Sequence, residues 1–408
     1  VSGLRGDRLV LGWIGLQGLS AAGDAVWTVA LAWTAVQVAS PAVAGLVVAA
    51  GTLPRAVVLL VGGILADRLQ TRWVMLLVNA VRVVVLVVTA VLVAVHGASV
   101  PLLALAAAGF GICDAIYIPS AATIGRQLVP PETLPEYAGA SQTANRLGGM
   151  AGAALGGAVV ATWGIGGSAV ANAVTFGVVV GYLALALRPR YPLPRAESEP
   201  AIRGIARGFA HLRDVPATRT LVLTLSGLNL AVSPALSLGL ALHVREADWG
   251  AHTLGLLNAT VGLSAALGAL ALFRWRPRHE ATTGFWFLVL QGGAIAVLAA
   301  GPLVTTALAC AVIGATSGAA SALLSAVFVG TVDGAYLGRM ASIQMLGDDV
   351  LMPLGMVVFG LFASGAGVAW ACAGFGLAMA LLMLVPLSRP AIRAISLRPE
   401  EELVGSRP

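Results

Sequence analysis

VGGILADRLQTRW, residues 61–73, is the stretch whose reading decides the fold. Its centre is a charged turn, Asp67, Arg68 and Arg72, and on either side the chain becomes almost wholly apolar. The upstream run covers about 42–66 and the downstream run about 73–95. Each has a single ionisable residue inside it, Arg55 and Arg82 respectively. A hydrocarbon layer of about 30 Å is crossed by roughly 20 apolar residues in a helix. Two such runs joined by a short basic turn therefore read as a pair of transmembrane helices, and the rest of the chain repeats the pattern.

Of the 408 residues, 58% are hydrophobic and only 10% charged. Soluble chains average roughly 45–50% apolar and about 25% charged, so a water-soluble globule is excluded. The 50 glycines follow no three-residue period, which excludes a collagen. Alternating strand-length segments are absent, which excludes a membrane β-barrel. All 24 basic residues are arginine, and the net charge of +6 belongs to one membrane face rather than to a nucleic-acid surface. Cys113, Cys310 and Cys372 are isolated in apolar segments, and the five histidines form no helical metal pair. No cofactor, metal or nucleic-acid partner is expected. The first apolar run is too long for a signal peptide and carries Asp24, so it is expected to stay as a span.

Twelve runs can be drawn, about 9–37, 42–66, 73–95, 99–127, 137–162, 166–187, 219–243, 253–273, 282–300, 303–330, 337–363 and 366–387. With the N-terminus inside, 20 of the 24 arginines fall on cytoplasmic segments and only Arg245 on an outer loop. The positive-inside rule then places both termini in the cytoplasm. The longest connection, 188–218, divides the chain into halves of six spans, 1–187 and 219–387, followed by a tail at 388–408. Within it Ile202, Ile205, Ala206, Phe209 and Leu212 share one face of an expected amphipathic helix in the membrane interface. A weak repeat supports the division: 134–141 entering the fifth span resembles 335–342 entering the eleventh, and 44–46 resembles 254–256. The fold class is an all-α polytopic membrane protein of two pseudo-symmetric six-helix halves, and such halves build secondary transporters.

Two motifs point to a family. Gly63-Ile-Leu-Ala-Asp67-Arg68-Leu-Gln-Thr-Arg72 resembles the signature loop G-x-x-x-D-R-x-G-R-R of the major facilitator superfamily, with Gln70 and Thr71 departing from it. Gly148-Gly-Met-Ala-Gly152-Ala-Ala-Leu-Gly156-Gly157 resembles that family's antiporter motif, with Ala153 in place of proline. The resemblance implies that Asp67 meets the N-terminus of the eleventh span and latches the cytoplasmic side. It also implies that the small face at 148, 152 and 156 packs against the eighth span. Ala22-Gly23-Asp24 with Ala30-Leu31-Ala-Trp33, and Tyr117-Ile-Pro119-Ser-Ala121, resemble the drug:proton antiporters related to macrolide-efflux and enterobactin-exporter proteins. Export of a small organic molecule in exchange for protons, by a monomer in a bacterial cytoplasmic membrane, is what this implies.

Ionisable groups inside a span cost about 2.5–3.5 kcal/mol at the membrane centre and default to function. Asp24, Arg55, Arg82, Asp114, Arg146, Asp348 and Asp349 qualify. By depth Asp24 can pair with Arg55, and Asp114 with either Arg82 or Arg146. Asp348 and Asp349 are about 100° apart on their helix, so one of the two is expected to face a cavity and the other a neighbouring helix. Asp24 is the favoured proton carrier. Gln17, Trp27, Trp33, Tyr117, Asn145, Asn229, Asn258, Gln291 and Gln344 are candidates for the cavity wall, although a helix–helix hydrogen bond or an interfacial anchor accounts for any one of them. A narrow-specificity siderophore or natural-product exporter is the alternative function. No HExxH, GxSxG or CxxC supports an embedded enzyme, and a chain without lysine has no Walker A lysine for an ATP-driven pump.

Overall fold

Apolar runs of this length satisfy their backbone groups internally only as helices, because a bilayer offers no water to do so. The computed structural model describes residues 4–66, 70–191, 210–275, 277–393 and 395, and all its regular elements among these are helical. In chain order they are α1 (Arg8–Val38), α2 (Pro41–Ala66), α3 (Thr71–His96) and α4 (Val100–Leu128). The long helix Leu134–Leu185 breaks at Gly164 into α5 (134–163) and α6 (165–185). Then follow α7 (Pro216–Glu246), α8 (Gly250–Arg274), α9 (Glu280–Ala296), α10 (Leu303–Thr331), α11 (Gly334–Ala366) and α12 (Val368–Ser388). Nine helices among the described residues are long and apolar enough to cross a membrane, and one of these, Pro131–Leu185, contains both α5 and α6. The other two expected spans are occupied by α2 and α9.

Local chemistry sets the boundaries. Asp7 caps α1, accepting from the amides of Leu9 and Val10 at 3.2 Å, which satisfies two of the donors a helix start leaves open. Gly164 has φ +63°, a conformation in which a side chain would be strained, so the α5–α6 turn needs only this one residue. The seventh helix is irregular: Pro234 is followed by a π-turn over Ala235–Gly239. Proline removes a backbone donor and clashes with the preceding turn, and widening the helix absorbs both.

The chain packs as two compact units. The first comprises Val1–Ser198 with Leu236–Ala259 and Met352–Gly365; the second comprises Glu199–Ala235, Thr260–Leu351 and Ala366–Pro408. In lipid, where no hydrophobic force joins helices, close backbone approach through small residues holds them. In the first unit a Cβ on Gly148 or Gly152 of α5 would fall on the carbonyl of Gly18 or Ala22 in α1, and one on Gly111 of α4 would fall on Gly51 of α2. The second unit uses the same device: Gly314 and Gly318 of α10 lie against Val261 and Ala265 of α8, and Gly376 of α12 against Gly292 of α9.

One expectation is corrected here. The face made by Gly148, Gly152 and Gly156 meets α1, not α8. Gly157, one residue further and about 100° round the helix, is the one that meets α8, at Ala251 and Gly255. Two faces of α5 are therefore used, one by the i, i+4, i+8 glycines and one by their neighbour.

Candidate functional site

In the first unit the charged residues converge on one helix, α3. Arg82 is only 1% exposed and forms an ion pair with Asp114 of α4. Its Nη1 donates to Oδ1 of Asn79, one turn earlier, at 3.4 Å, and Asn79 donates in turn to the carbonyl of Met75 at 2.7 Å. Three rings surround the guanidinium: Tyr117 at 4.5 Å, Phe176 at 4.9 Å and Phe110 at 5.2 Å from ring centre to Cζ. Phe110, Asp114 and Tyr117 follow at i, i+4 and i+7, so one face of α4 supplies the counter-ion and two of the rings. Phe110 also packs against Phe176 at 5.7 Å and Trp27 at 6.1 Å between centroids. A buried guanidinium is attracted by aromatic faces, and the carboxylate supplies the charge they cannot.

Asp24 of α1 is the third charge. Its Oδ1 accepts from Nδ2 of Asn172 in α6 at 3.4 Å, and Asn172 is fully buried. The Thr175 hydroxyl shares its proton between the Asn172 backbone carbonyl at 2.8 Å and Asn172 Oδ1 at 3.0 Å. Arg82 and Asp114 both act on Asp24 electrostatically. Of the two arginines within depth of Asp114, the structure selects Arg82; the side chain of Arg146 is exposed. The side chain of Arg55, the proposed partner of Asp24, lies outside the described residues, as do Asp67 and Arg68; of Gly63 only the helical backbone is described.

Other predicted residues are more dispersed. Arg72 donates from Nε and Nη2 to the carbonyls of Leu183 and Ala184 at 2.7 Å, binding the start of α3 to the end of α6, where a cation complements open carbonyls. Gln17 accepts from Ser141 of α5 at 2.6 Å, a helix–helix bond. Trp27 is buried against Phe110. Trp33 lines a cavity of about 590 Å³ with Gln37, Trp163 and the Gly164 turn. Asn258 returns its amide to the carbonyl of Leu254 at 3.0 Å. Asn145 is partly buried on α5, and Gln291 is buried on α9.

In the second unit Asn229 of α7 and Gln344 of α11 line a cavity of about 510 Å³, together with residues of α9 and α10. The side chain of Asn229 interacts with that of Asp348 on α11. Asp348 is partly buried and Asp349 is 7% exposed. Sequence reading missed Asn79, Phe110, Asn172 and Phe176 around the charges. The i, i+4, i+7 spacing of Phe110, Asp114 and Tyr117 was the available signal.

A family model described as Major Facilitator Superfamily matches residues 14–303. The multidrug efflux pump Tap of Mycolicibacterium fortuitum is 26% identical over 394 residues, covering 92% of this chain and 94% of that protein. The enterobactin exporter EntS of Shigella flexneri is 29% identical over 350 residues, covering 81% and 80%. Among solved structures, a mutant of the nucleoside transporter NupG superposes with a TM-score of 0.71 at 16% identity, covering 93% of this chain and 99% of that one.

Proposed function

This chain belongs to the major facilitator superfamily, and we propose that it is a secondary active exporter that exchanges protons for small amphiphilic organic molecules by alternating access. It is a multi-pass transporter and not an enzyme. The names of its relatives, a multidrug efflux pump and an enterobactin exporter, support outward movement of organic molecules. The 20 arginines on one side of the predicted spans support termini that face the cytoplasm, in a bacterial cytoplasmic membrane. Two six-helix halves joined through 188–218, acting as a monomer, complete the reading.

The observation that carries the proton-coupled part is the cluster of Asp24, Arg82 and Asp114 in the middle of α1, α3 and α4. With both carboxylates ionised the three groups sum to one negative charge; with one proton added they sum to zero. A neutral cluster is far easier to close away from water than a charged one. Arg82 is committed to Asp114 inside its ring of aromatics, so Asp24 is the carboxylate left to exchange its proton. Protonated Asp24 is neutral and permits closure; ionised Asp24 favours the state open to water. Asp67, by the same family reading, latches the cytoplasmic end.

Proteoliposomes with an imposed pH gradient, assayed over a panel of antibiotics, dyes and siderophores, test this. Substrate-dependent proton flux is expected. Transport of a panel member that is indifferent to the gradient would overturn the coupling. Response to siderophores alone would favour the narrow-specificity exporter that the enterobactin relative suggests.

A further inference from the structure

A hydroxyl on a membrane helix ordinarily returns its proton to the carbonyl one turn back, because hydrocarbon offers no other acceptor. The hydroxyls of this chain do so repeatedly: Thr89 to Val85 at 2.7 Å, Thr123 to Pro119 at 2.9 Å, Ser264 to Thr260 at 2.7 Å, and on α10 itself Thr316 to Val312 at 2.6 Å. Ser317, Ser321 and Ser325 on the same helix depart from the pattern. Among the described residues they make no hydrogen bond, and all three line the 510 Å³ cavity of the second unit.

Their spacing gives the cavity a geometry. Residues four apart on a helix rise about 6 Å and turn only about 40° past a full circle. Three hydroxyls thus stand in a column of about 12 Å on one wall. Asn229 of α7 and Gln344 of α11 add two amides, and Leu228, Leu288 and Phe328 supply apolar surface. Asp348 interacts with Asn229, and its Oδ1 is buried without a hydrogen-bond partner among the described residues. Among the described residues, neither arginine nor any other charged side chain lines this cavity. Its volume lies within the roughly 300–1,000 Å³ of drug-sized sites.

We propose that this cavity holds the exported molecule, and that its column of serines with Asn229 and Gln344 selects an uncharged amphiphile bearing several hydroxyl or amide groups over a lipophilic cation. The proposal deepens the exporter reading and rests on it for the direction of transport. An apolar cation satisfies none of the five polar side chains and gains only the apolar wall, whereas a hydroxylated amphiphile meets both. Removing a single serine hydroxyl is expected to weaken binding a few-fold.

The test uses two probes, chloramphenicol (uncharged, two hydroxyls and one amide) and tetraphenylphosphonium, a lipophilic cation with no hydrogen-bonding group. Equilibrium dialysis against the purified full-length protein reads the pocket without any gradient. S321A/S325A is expected to weaken chloramphenicol binding about tenfold and to leave tetraphenylphosphonium binding unchanged. T316A, whose hydroxyl is already bound to Val312, is expected to change neither. Equal chloramphenicol binding by wild type and S321A/S325A, equal weakening of both probes, or no saturable chloramphenicol binding by the wild type would each overturn the proposal. Retention of the binding difference with no gradient-driven export would fail the antiport reading while leaving the pocket standing.

Discussion

The charge centre of the first unit and the cavity of the second use their polar groups in opposite ways. Around Arg82 the polar groups are bound to one another: Asp114 to Arg82, Asn79 to Arg82 and to Met75, Thr175 to Asn172, and Asn172 to Asp24. Around the second cavity three serines have no protein partner among the described residues. Apart from the Nε of Arg82, which is buried without a hydrogen-bond partner among the described residues, the groups around Arg82 are bonded to one another, and removing one member strands another in low dielectric. Unbonded hydroxyls contribute little to the fold and are free for something that arrives from outside. On the proposed reading the two units divide the labour of a coupled transporter, one holding charge and the other holding cargo.

The comparison breaks first, if it is wrong, at Arg82. Arg82→Met leaves Asp114 without its counter-ion and is expected to cost about 3–5 kcal/mol. The loss should show as a collapse in the yield of monodisperse protein or in its melting temperature in detergent. Arg82→Met with Asp114→Leu, which removes both charges, is expected to recover most of it. Next in size is helix packing. Gly152→Leu places a side chain on the Ala22 carbonyl of α1 and is expected to cost about 1–3 kcal/mol or more. Gly149→Leu, on the same helix but with open space around its Cβ, should melt like wild type.

The serine column marks the other side of the comparison. Replacing Ser317, Ser321 and Ser325 together by alanine is expected to move stability by no more than about 0.5 kcal/mol, read by the same melting assay. A loss as large as that of Arg82→Met would show these hydroxyls to be structural.

The smallest effect belongs to the ion pair between Asp7 and Arg190, at the start of α1 and beyond the end of α6. Burial pushes the Asp7 carboxyl up, but its bond to Arg190 and the amides of Val10 and Leu9 together hold it below its ordinary value of 3.8. A carboxyl with a depressed folded pKa contributes stability above its unfolded pKa and loses it as the pH falls through the folded one. Melting temperatures of wild type and Asp7→Asn should therefore differ slightly and constantly at neutral pH. The difference should close as the pH drops below about 3.8. A gap that persists well below that point would assign the effect to the helix cap rather than to the charge.

Much of this was legible in the sequence, and the remainder was hidden for identifiable reasons. Apolar length and charge between runs predict helices at the right places, because in a membrane backbone satisfaction leaves no competing structure. Asp114 and Arg82 stand out because a charge in a span is rare, and depth alone left Arg146 as an equal candidate. The aromatic shell was not legible as such: Phe176 comes from α6, far along the chain from α4, and a phenylalanine in an apolar run carries no signal of its own. Small residues at 148, 152 and 156 announce a close approach without naming the partner, which proved to be α1. Serines on α10 look like any small residues of a packed membrane helix. Their place together on the wall of one cavity, a property of the folded chain, sets them apart.

The most direct measurement of the central claim is export by Asp24→Asn in proteoliposomes, with and without a pH gradient. Asparagine keeps the size and the hydrogen bonding of Asp24 but cannot titrate. The expected result is a folded protein whose flux down a substrate gradient persists and whose acceleration by a proton gradient is lost. Gradient-driven export that survives in Asp24→Asn, or that returns in Asp24→Asn with Arg55→Gln, would contradict the proton-carrier role of Asp24.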